Sequence, residues 1–126
     1  MTTPLWPPRS PQLPPTVNMV QWRLEDDLKA LRELFSDPSR WTRGVEAKDS
    51  LGRIVLPLEE GAVCFCLLGG ILRVTDDDDD RSLALTSLLE EALPPLRYQG
   101  LDQFNDSSEH AQVLALIETV NHNLCG

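Results

Sequence analysis

Apolar and charged positions alternate along the chain in ways that predict several helices. In residues 16–35, apolar side chains recur at steps of three and four residues, with charged side chains between them. This spacing predicts an amphipathic helix of about five turns, capped by Thr16 or Asn18 and stopped by residues 36–38. Residues 85–92 have a similar apolar face and predict a short helix. Asp106 and Glu109 match a capping box, so they predict a last helix that runs nearly to the C-terminus.

The segments between these helices have a different pattern. Residues 41–45 and 53–56 are compatible with strands, and residues 49–52 form a turn signal, which together predict a small hairpin. Residues 62–74 are apolar on every side and predict a buried central element. A helix is the preferred interpretation for this element, although Gly69 and Gly70 would weaken it. A strand pair that turns at these two glycines is the alternative.

These elements predict a mainly α fold, or α+β with a minor β part. About four helices pack in one domain, residues 16–126, with a short β-hairpin between helices one and two. Six of the first fifteen residues are proline, which predicts an extended, proline-rich arm for residues 1–15.

Length and cysteine content narrow the class of protein. The chain has 126 residues, of which 41% are hydrophobic, as expected for one small globular domain. No apolar stretch reaches the roughly 20 residues that cross a bilayer, so no membrane partner is predicted. The three cysteines are an odd number with no disulfide framework, which favours a cytoplasmic protein.

The net charge of −9 is unevenly distributed. Residues 1–73 hold nine basic and nine acidic residues, whereas residues 74–126 hold eleven acids and only Arg81 and Arg97. Five of the acids are consecutive, and we expect them to form a solvated loop: Asp76, Asp77, Asp78, Asp79 and Asp80. Such a polyanion disfavours direct nucleic-acid binding and favours a protein partner with a basic surface, with solubility as the simpler role.

Neither a metal nor a cofactor is predicted. In an EF-hand reading of the aspartate run, Arg81 would replace the glycine of the turn and Ser87 the bidentate glutamate. Five residues have side chains that can bind zinc, but they lack the sequence spacing of zinc ligands. The cysteines among them are more typical of a buried apolar core than of a zinc site. The five residues are Cys64, Cys66, Cys125, His110 and His122.

One set of residues has the types needed for thiol chemistry. Cys66 could act as a nucleophile with His110 as its base, and Asn105 or Asp106 could orient that base. However, Cys66 lies inside the apolar run, where burial raises the pKa of a thiol and makes it inert. A structural role for Cys66 is therefore favoured.

Three short patches resemble motifs of a known family. Residues 41–52 contain Trp41 and Gly44 of a Trp-x-x-Gly pattern, followed by Ala-x-Asp-x-x-Gly. Residues 66–70 resemble Cys-x-x-Gly-Ala through Cys66 and Gly69, and residues 104–106 resemble Trp-Asn-Asp. This order is similar to that in a family of small bacterial and phage proteins of unknown function, over about residues 20–124. Gly70 and Phe104 depart from the family's alanine and tryptophan.

The resemblance implies a mostly helical domain in phages or mobile elements and no established activity. Two classes of function follow. The first is a non-enzymatic, acidic protein-binding module, one form of which is a phage inhibitor of a host defence machine of the CRISPR type. The alternative is a thiol-dependent enzyme that uses Cys66 with His110.

Overall fold

The computed structural model describes the backbone of residues 15–125 and the side chains of residues 24–124. The proline-rich arm lies outside the described residues, except for Pro15. In chain order the elements are α1 (Pro15–Leu34), a 3-10 turn (Pro38–Arg40), β1 (Ala47–Asp49), β2 (Ala62–Phe65), α2 (Leu67–Val74), α3 (Asp79–Glu91), α4 (Leu101–Asp106) and α5 (His110–Cys125). No helix in this part of the chain is long and apolar enough to cross a membrane.

The predicted mainly α architecture, with a β-hairpin between the first two helices, is confirmed. The apolar stripe faces inward over the described side chains of α1, because Leu28 and Leu31 are completely buried, as is Phe35 directly after the helix. The helix ends near the predicted stop, where the Asp37 side chain caps the following 3-10 turn. It begins at Pro15, ahead of both predicted caps, whose side chains lie outside the described residues.

The hairpin uses different strands from those predicted. β1 pairs antiparallel with β2, and the register is irregular between Lys48 and Asp49. The predicted strands contribute only isolated bridges, Trp41 with Phe65 and Lys48 with Ile54. The pattern at residues 41–45 and 53–56 was compatible with strands, but the apolar run that follows supplies the longer pairing partner.

The predicted helix over residues 62–74 is therefore wrong for its first third. Residues 62–65 form β2, and only residues 67–74 form a helix. The change occurs at Cys66, whose backbone is extended and whose Sγ accepts a hydrogen bond from the Gly69 amide at 3.4 Å. The strand pair turning at Gly69 and Gly70 is wrong as well, since both glycines lie inside α2.

The buried apolar side chains form one contiguous cluster to which all five helices and both strands contribute. The apolar faces predicted for α3 and α5 are confirmed, with Leu85, Leu89, Val113, Ile117 and Val120 buried. The short helix α4 was not predicted, yet it adds Leu101 and Phe104 to the core. Its six residues are too few to show a helical period in the sequence.

The two glycines of α2 are required by close packing. A Cβ atom added to Gly69 would overlap the carbonyl oxygen of Glu46 and lie 2.7 Å from its carbonyl carbon. A Cβ atom on Gly70 would lie 2.6 Å from Cζ of Phe35, the residue that follows α1. Because glycine lacks a side chain, α2 can approach both the backbone before β1 and the end of α1.

We expect Gly69→Ala to lower the free energy of unfolding by about 3 kcal/mol, because the Glu46 backbone cannot move aside without breaking its own hydrogen bond to Cys66. Gly61→Ala is the matched control, since the nearest atom to its added Cβ is 4.0 Å away. Urea unfolding followed by circular dichroism measures both. Equal losses in the two variants would contradict the packing argument.

Candidate functional site

The side chain of Asn105 is the centre of a buried polar network. It is completely buried, and its Oδ1 accepts hydrogen bonds from Trp41 Nε1 at 2.7 Å and from the Leu67 amide at 3.0 Å. Its Nδ2 donates to the Thr42 carbonyl at 3.1 Å and to Asp106 Oδ1 at 3.2 Å. A carboxamide has two acceptor and two donor positions, so all four are satisfied and the orientation of the amide is determined.

This network brings the three sequence patches together. Trp41 comes from the segment after the 3-10 turn, Leu67 begins α2, and Asn105 lies in α4. The residues singled out from the motifs therefore share one region: Trp41, Gly44, Cys66, Gly69, Asn105 and Asp106. Every donor and acceptor of the Asn105 amide is used within the protein, so the region holds the fold together and leaves that amide no capacity for a ligand.

The prediction that Asp106 caps the last helix is wrong. Asp106 is the last residue of α4, and its Oδ1 accepts a hydrogen bond from the Gly44 amide at 2.9 Å. Gly44 has a positive φ of 82°, so the chain turns there in a conformation that glycine adopts easily. The capping-box pattern is present in the sequence, but the carboxylate accepts its hydrogen bond from a backbone amide 62 residues away instead.

The thiol of Cys66 lies in an environment that suppresses its reactivity. The residue is buried, and desolvation raises the pKa of the thiol above its ordinary value, helped by the carboxylates of Glu46 and Asp106. The hydrogen bond from Gly69 opposes this shift but does not reverse it. Cys66 therefore acts as the cap of α2, a structural role.

The proposed base, His110, is engaged elsewhere. Its Nε2 is 2.7 Å from the carbonyl oxygen of Phe35, the residue after α1, so this nitrogen is protonated and donates a hydrogen bond to that carbonyl. The imidazole also lies 6.1 Å from the Trp41 ring, centroid to centroid. His110 thus ties the start of α5 to the end of α1, and Asn105, the proposed orienting residue, bonds to Trp41 and not to the imidazole.

Arg43 closes the network from the outside, and sequence reasoning missed it. Its guanidinium lies over the Trp41 ring, 5.2 Å from the centroid, and its Nε donates to the Ser108 carbonyl at 2.9 Å. It also forms a 3.1 Å ion pair with Glu109. The sequence places this arginine two residues after Trp41, and that spacing could have indicated the contact, because arginine stacks well on indole rings.

The aspartate run is an ordered turn and helix start, so the prediction of a solvated loop is only half right. All five side chains are exposed, but Asp76 and Asp77 have left-handed backbones with φ of 55° and 58°. The side chain of Asp78 caps α3 by accepting from the Arg81 amide at 3.0 Å, and the last two aspartates form the first turn of that helix. Carboxylates are favourable there because the helix dipole is positive at its start. Among the described residues, no three His, Cys, Asp or Glu side chains come together as a metal site.

The arginine that follows the run forms a half-buried ion pair with α1. Arg81 Nε lies 3.0 Å from Asp27 Oδ2, and Arg81 Nη2 lies 2.6 Å from Asp27 Oδ1. The hydrogen bond to Asp27 raises the pKa of Arg81 further. Sequence reasoning missed this pair, although Asp27 falls on the apolar face of α1 and Arg81 precedes Leu85 by one helical turn. A charged residue at a core-facing position needs a buried partner of opposite charge, so these two positions could have indicated the ion pair.

Comparison with protein-family models matches residues 19–123 to one described as a family of unknown function, DUF6197. The chain belongs to this family. The match covers nearly the residues expected from the sequence resemblance, and the whole Asn105 network lies inside the DUF6197 region. No curated protein and no solved structure matches the chain.

We expect Asn105→Ala to lower the free energy of unfolding by about 3 kcal/mol. The substitution leaves the Trp41 indole and the Leu67 amide without their acceptor, and each unsatisfied buried donor costs about 1–3 kcal/mol. Asn123→Ala, at an exposed position of α5, should change stability by less than about 0.5 kcal/mol. Chemical unfolding measures both, and an unaffected Asn105→Ala protein would refute the central role of this amide.

Cys66 should resist alkylation in the native protein at pH 8, because its raised pKa keeps it a thiol. Peptide mapping after iodoacetamide treatment should show it labelled at least about a hundredfold more slowly than in urea. The unfolded chain loses this proton first, so stability should decline as pH rises past the ordinary thiol pKa of 9.0. Rapid labelling of native Cys66 at neutral pH would instead support the thiol enzyme.

Proposed function

We propose that this protein is a non-enzymatic binding module whose acidic turn, residues 76–80, docks on a basic surface of a partner protein. One observation carries the proposal. Arg81 is the only cation between residues 74 and 96, and its ion pair is formed with Asp27 on α1. None of the five exposed carboxylates therefore forms an ion pair within the described structure, although Asp76 and Asp78 lie close enough to Arg81 to contribute to the raised pKa of that guanidinium.

The backbone of the turn that carries these charges is held by hydrogen bonds. Asp77 donates its amide to the Leu72 carbonyl at 2.9 Å and Asp78 to the Thr75 carbonyl at 3.0 Å. Thr75, which is completely buried, bonds to Ser82 of α3 at 2.7 Å and so closes the base of the turn. A preordered charged surface binds with less loss of conformational entropy than a loose one.

Catalysis by Cys66 finds less support. Its thiol is buried with a raised pKa, and the imidazole of His110 hydrogen-bonds to the Phe35 carbonyl. An enzyme of this kind would need a thiolate within reach of its base. The thiol enzyme therefore remains the weaker proposal.

The setting of the protein belongs to the same proposal. We infer a reducing cytoplasm from the odd number of cysteines, and a bacterial or phage origin from the sequence patches that resemble Trp-x-x-Gly, Cys-x-x-Gly-Ala and Trp-Asn-Asp. In that setting, one concrete form is a phage or mobile-element inhibitor of a CRISPR-type effector. Such an effector holds nucleic acid on a basic surface, which an acidic turn can occupy.

The proposal is tested by neutralising four aspartates to asparagine, at positions 76, 77, 79 and 80, and retaining the cap Asp78. Asparagine tolerates left-handed backbones, so the turn should persist, as circular dichroism would show. The matched control makes the same change in net charge at four exposed acids elsewhere: Asp26, Glu33, Glu60 and Glu91.

We expect the wild-type protein and the control to retain the same partner from a host lysate, and the turn variant to lose it. With the purified partner, raising salt from 0.1 M to 1 M should slow association of the wild type much more than it speeds dissociation, because the Debye length falls from about 10 Å to about 3 Å. An association rate that changes neither with salt nor with the four substitutions would refute the proposal.

A further inference from the structure

One open cleft in the described part of the molecule combines two arginines with apolar side chains. It has a volume of about 350 Å³ and lies between the end of α1, the 3-10 turn, β2 and α2. We name it the two-arginine cleft, and none of its lining residues is acidic: Leu34, Arg40, Ala62, Val63, Phe65 and Arg73. Binding sites for small molecules typically have this composition, with mainly apolar walls and a few charged groups.

Most arginines of this protein already neutralise a carboxylate, but those of the cleft do not. Four of the seven arginines whose side chains are described form ion pairs: Arg32, Arg43, Arg53 and Arg81. The other three are Arg40, Arg73 and Arg97, and the first two line the same cleft. Guanidinium groups bind carboxylates and phosphates through paired N–H donors, so two without an internal partner provide a site for an anion.

The guanidinium of Arg73 is held in place with donors to spare. Its Nη1 donates to the carbonyl oxygens of Pro57 at 2.8 Å and Glu59 at 2.9 Å, and its Cζ lies 5.6 Å from the centroid of the Phe65 ring. A guanidinium has five N–H donors, so the donors on Nε and Nη2 are not used by any described residue. A side chain that is already fixed loses little conformational entropy when it binds an anion.

Arg40 supplies a second positive charge that has no structural task. Its side chain is exposed and forms no hydrogen bond or ion pair within residues 24–124. The pKa of the neighbouring Asp37 is lowered mainly by hydrogen bonds from the Ser39 amide at 3.0 Å and the Ser39 hydroxyl at 2.8 Å, and less by the charge of Arg40. Arg40 can therefore turn toward an anion in the cleft without breaking a bond.

The apolar walls determine what else the anion must carry. Val63 is 45% exposed, and Ala62 and Phe65 lie beside it on β2. A bare inorganic anion would leave the Val63 side chain in water, whereas an anion with an apolar group would cover it. Removing apolar surface from water is favourable, so the second kind of ligand fits the cleft better.

We propose that the two-arginine cleft binds a small oxyanion with two negative charges and an apolar group, of the phosphate-monoester or dicarboxylate class. Two guanidiniums match two negative charges, and their forked N–H groups fit the oxygen atoms of both classes. The residues of the acidic turn do not line this cleft, so binding here does not depend on docking of that turn.

The test is a titration of the nitrogen-15-labelled full chain, followed by two-dimensional amide NMR spectra. The probes are phenyl phosphate and phenylsuccinate, at pH 7.5, where a phosphate monoester is a dianion because its second pKa is about 6. We expect saturable shifts of the Val63 and Arg73 amides, with a Kd below about 5 mM for at least one probe, and the tighter probe identifies the class. Inorganic phosphate and benzyl alcohol each lack half of the ligand and should bind at least about fivefold more weakly.

Arg40→Gln removes one charge without removing a structural contact, so it should weaken binding at least about fivefold and leave the rest of the amide spectrum unchanged. Arg97→Gln is the matched control, because Arg97 is the third arginine without an ion pair and does not line the cleft. It should bind the probes like the wild type. A wild type without saturable shifts for either probe, equal affinity for inorganic phosphate, or an equal loss in Arg97→Gln would overturn the proposal.

Discussion

The hydrogen bonds of a single buried amide decide how three separate parts of this chain fit together. Asn105 holds the loop after the 3-10 turn, the first turn of α2 and its own helix α4 through four bonds, with no donor or acceptor left over. A buried carboxamide with even one empty position would oppose folding, so the four partners must arrive together. The glycines of α2 let the same helix pack closely against the Glu46 backbone and the Phe35 ring.

Local periodicity accounts for what could be predicted from the sequence. α1, α3 and α5 follow from apolar side chains at helical steps, and their inward faces are those expected. Periodicity could not assign the secondary structure of the apolar run at residues 62–74, because a buried strand and a buried helix both have uniformly apolar sequences. The break at Cys66 depends on β1, a partner that only the folded chain supplies.

The motif residues show a similar limit. Their meeting in space was not visible in the sequence, since Trp41 and Asn105 are 64 residues apart. Asp106 matched a local capping pattern, yet a tertiary donor, the Gly44 amide, determined its role. The ion pair of Asp27 with Arg81 was accessible in principle, because each charge interrupts an apolar helix face. The exposure of residues 76–80 agrees with the expected solvated segment, whereas the ordered turn is closed by Thr75 and Ser82, whose hydrogen bond the sequence does not indicate.

The bonds of Asn105 also constrain the order in which the chain folds. Three of the four close loops of 38 to 64 residues, and closing a loop of that length costs conformational entropy before the contact is formed. Helices such as α1 form from local contacts and need no such closure. During synthesis, the indole of Trp41 and the first turn of α2 therefore leave the ribosome well before their common acceptor exists. The hairpin and α2 can collapse onto α1 early, but their final register is fixed only when α4 has been made.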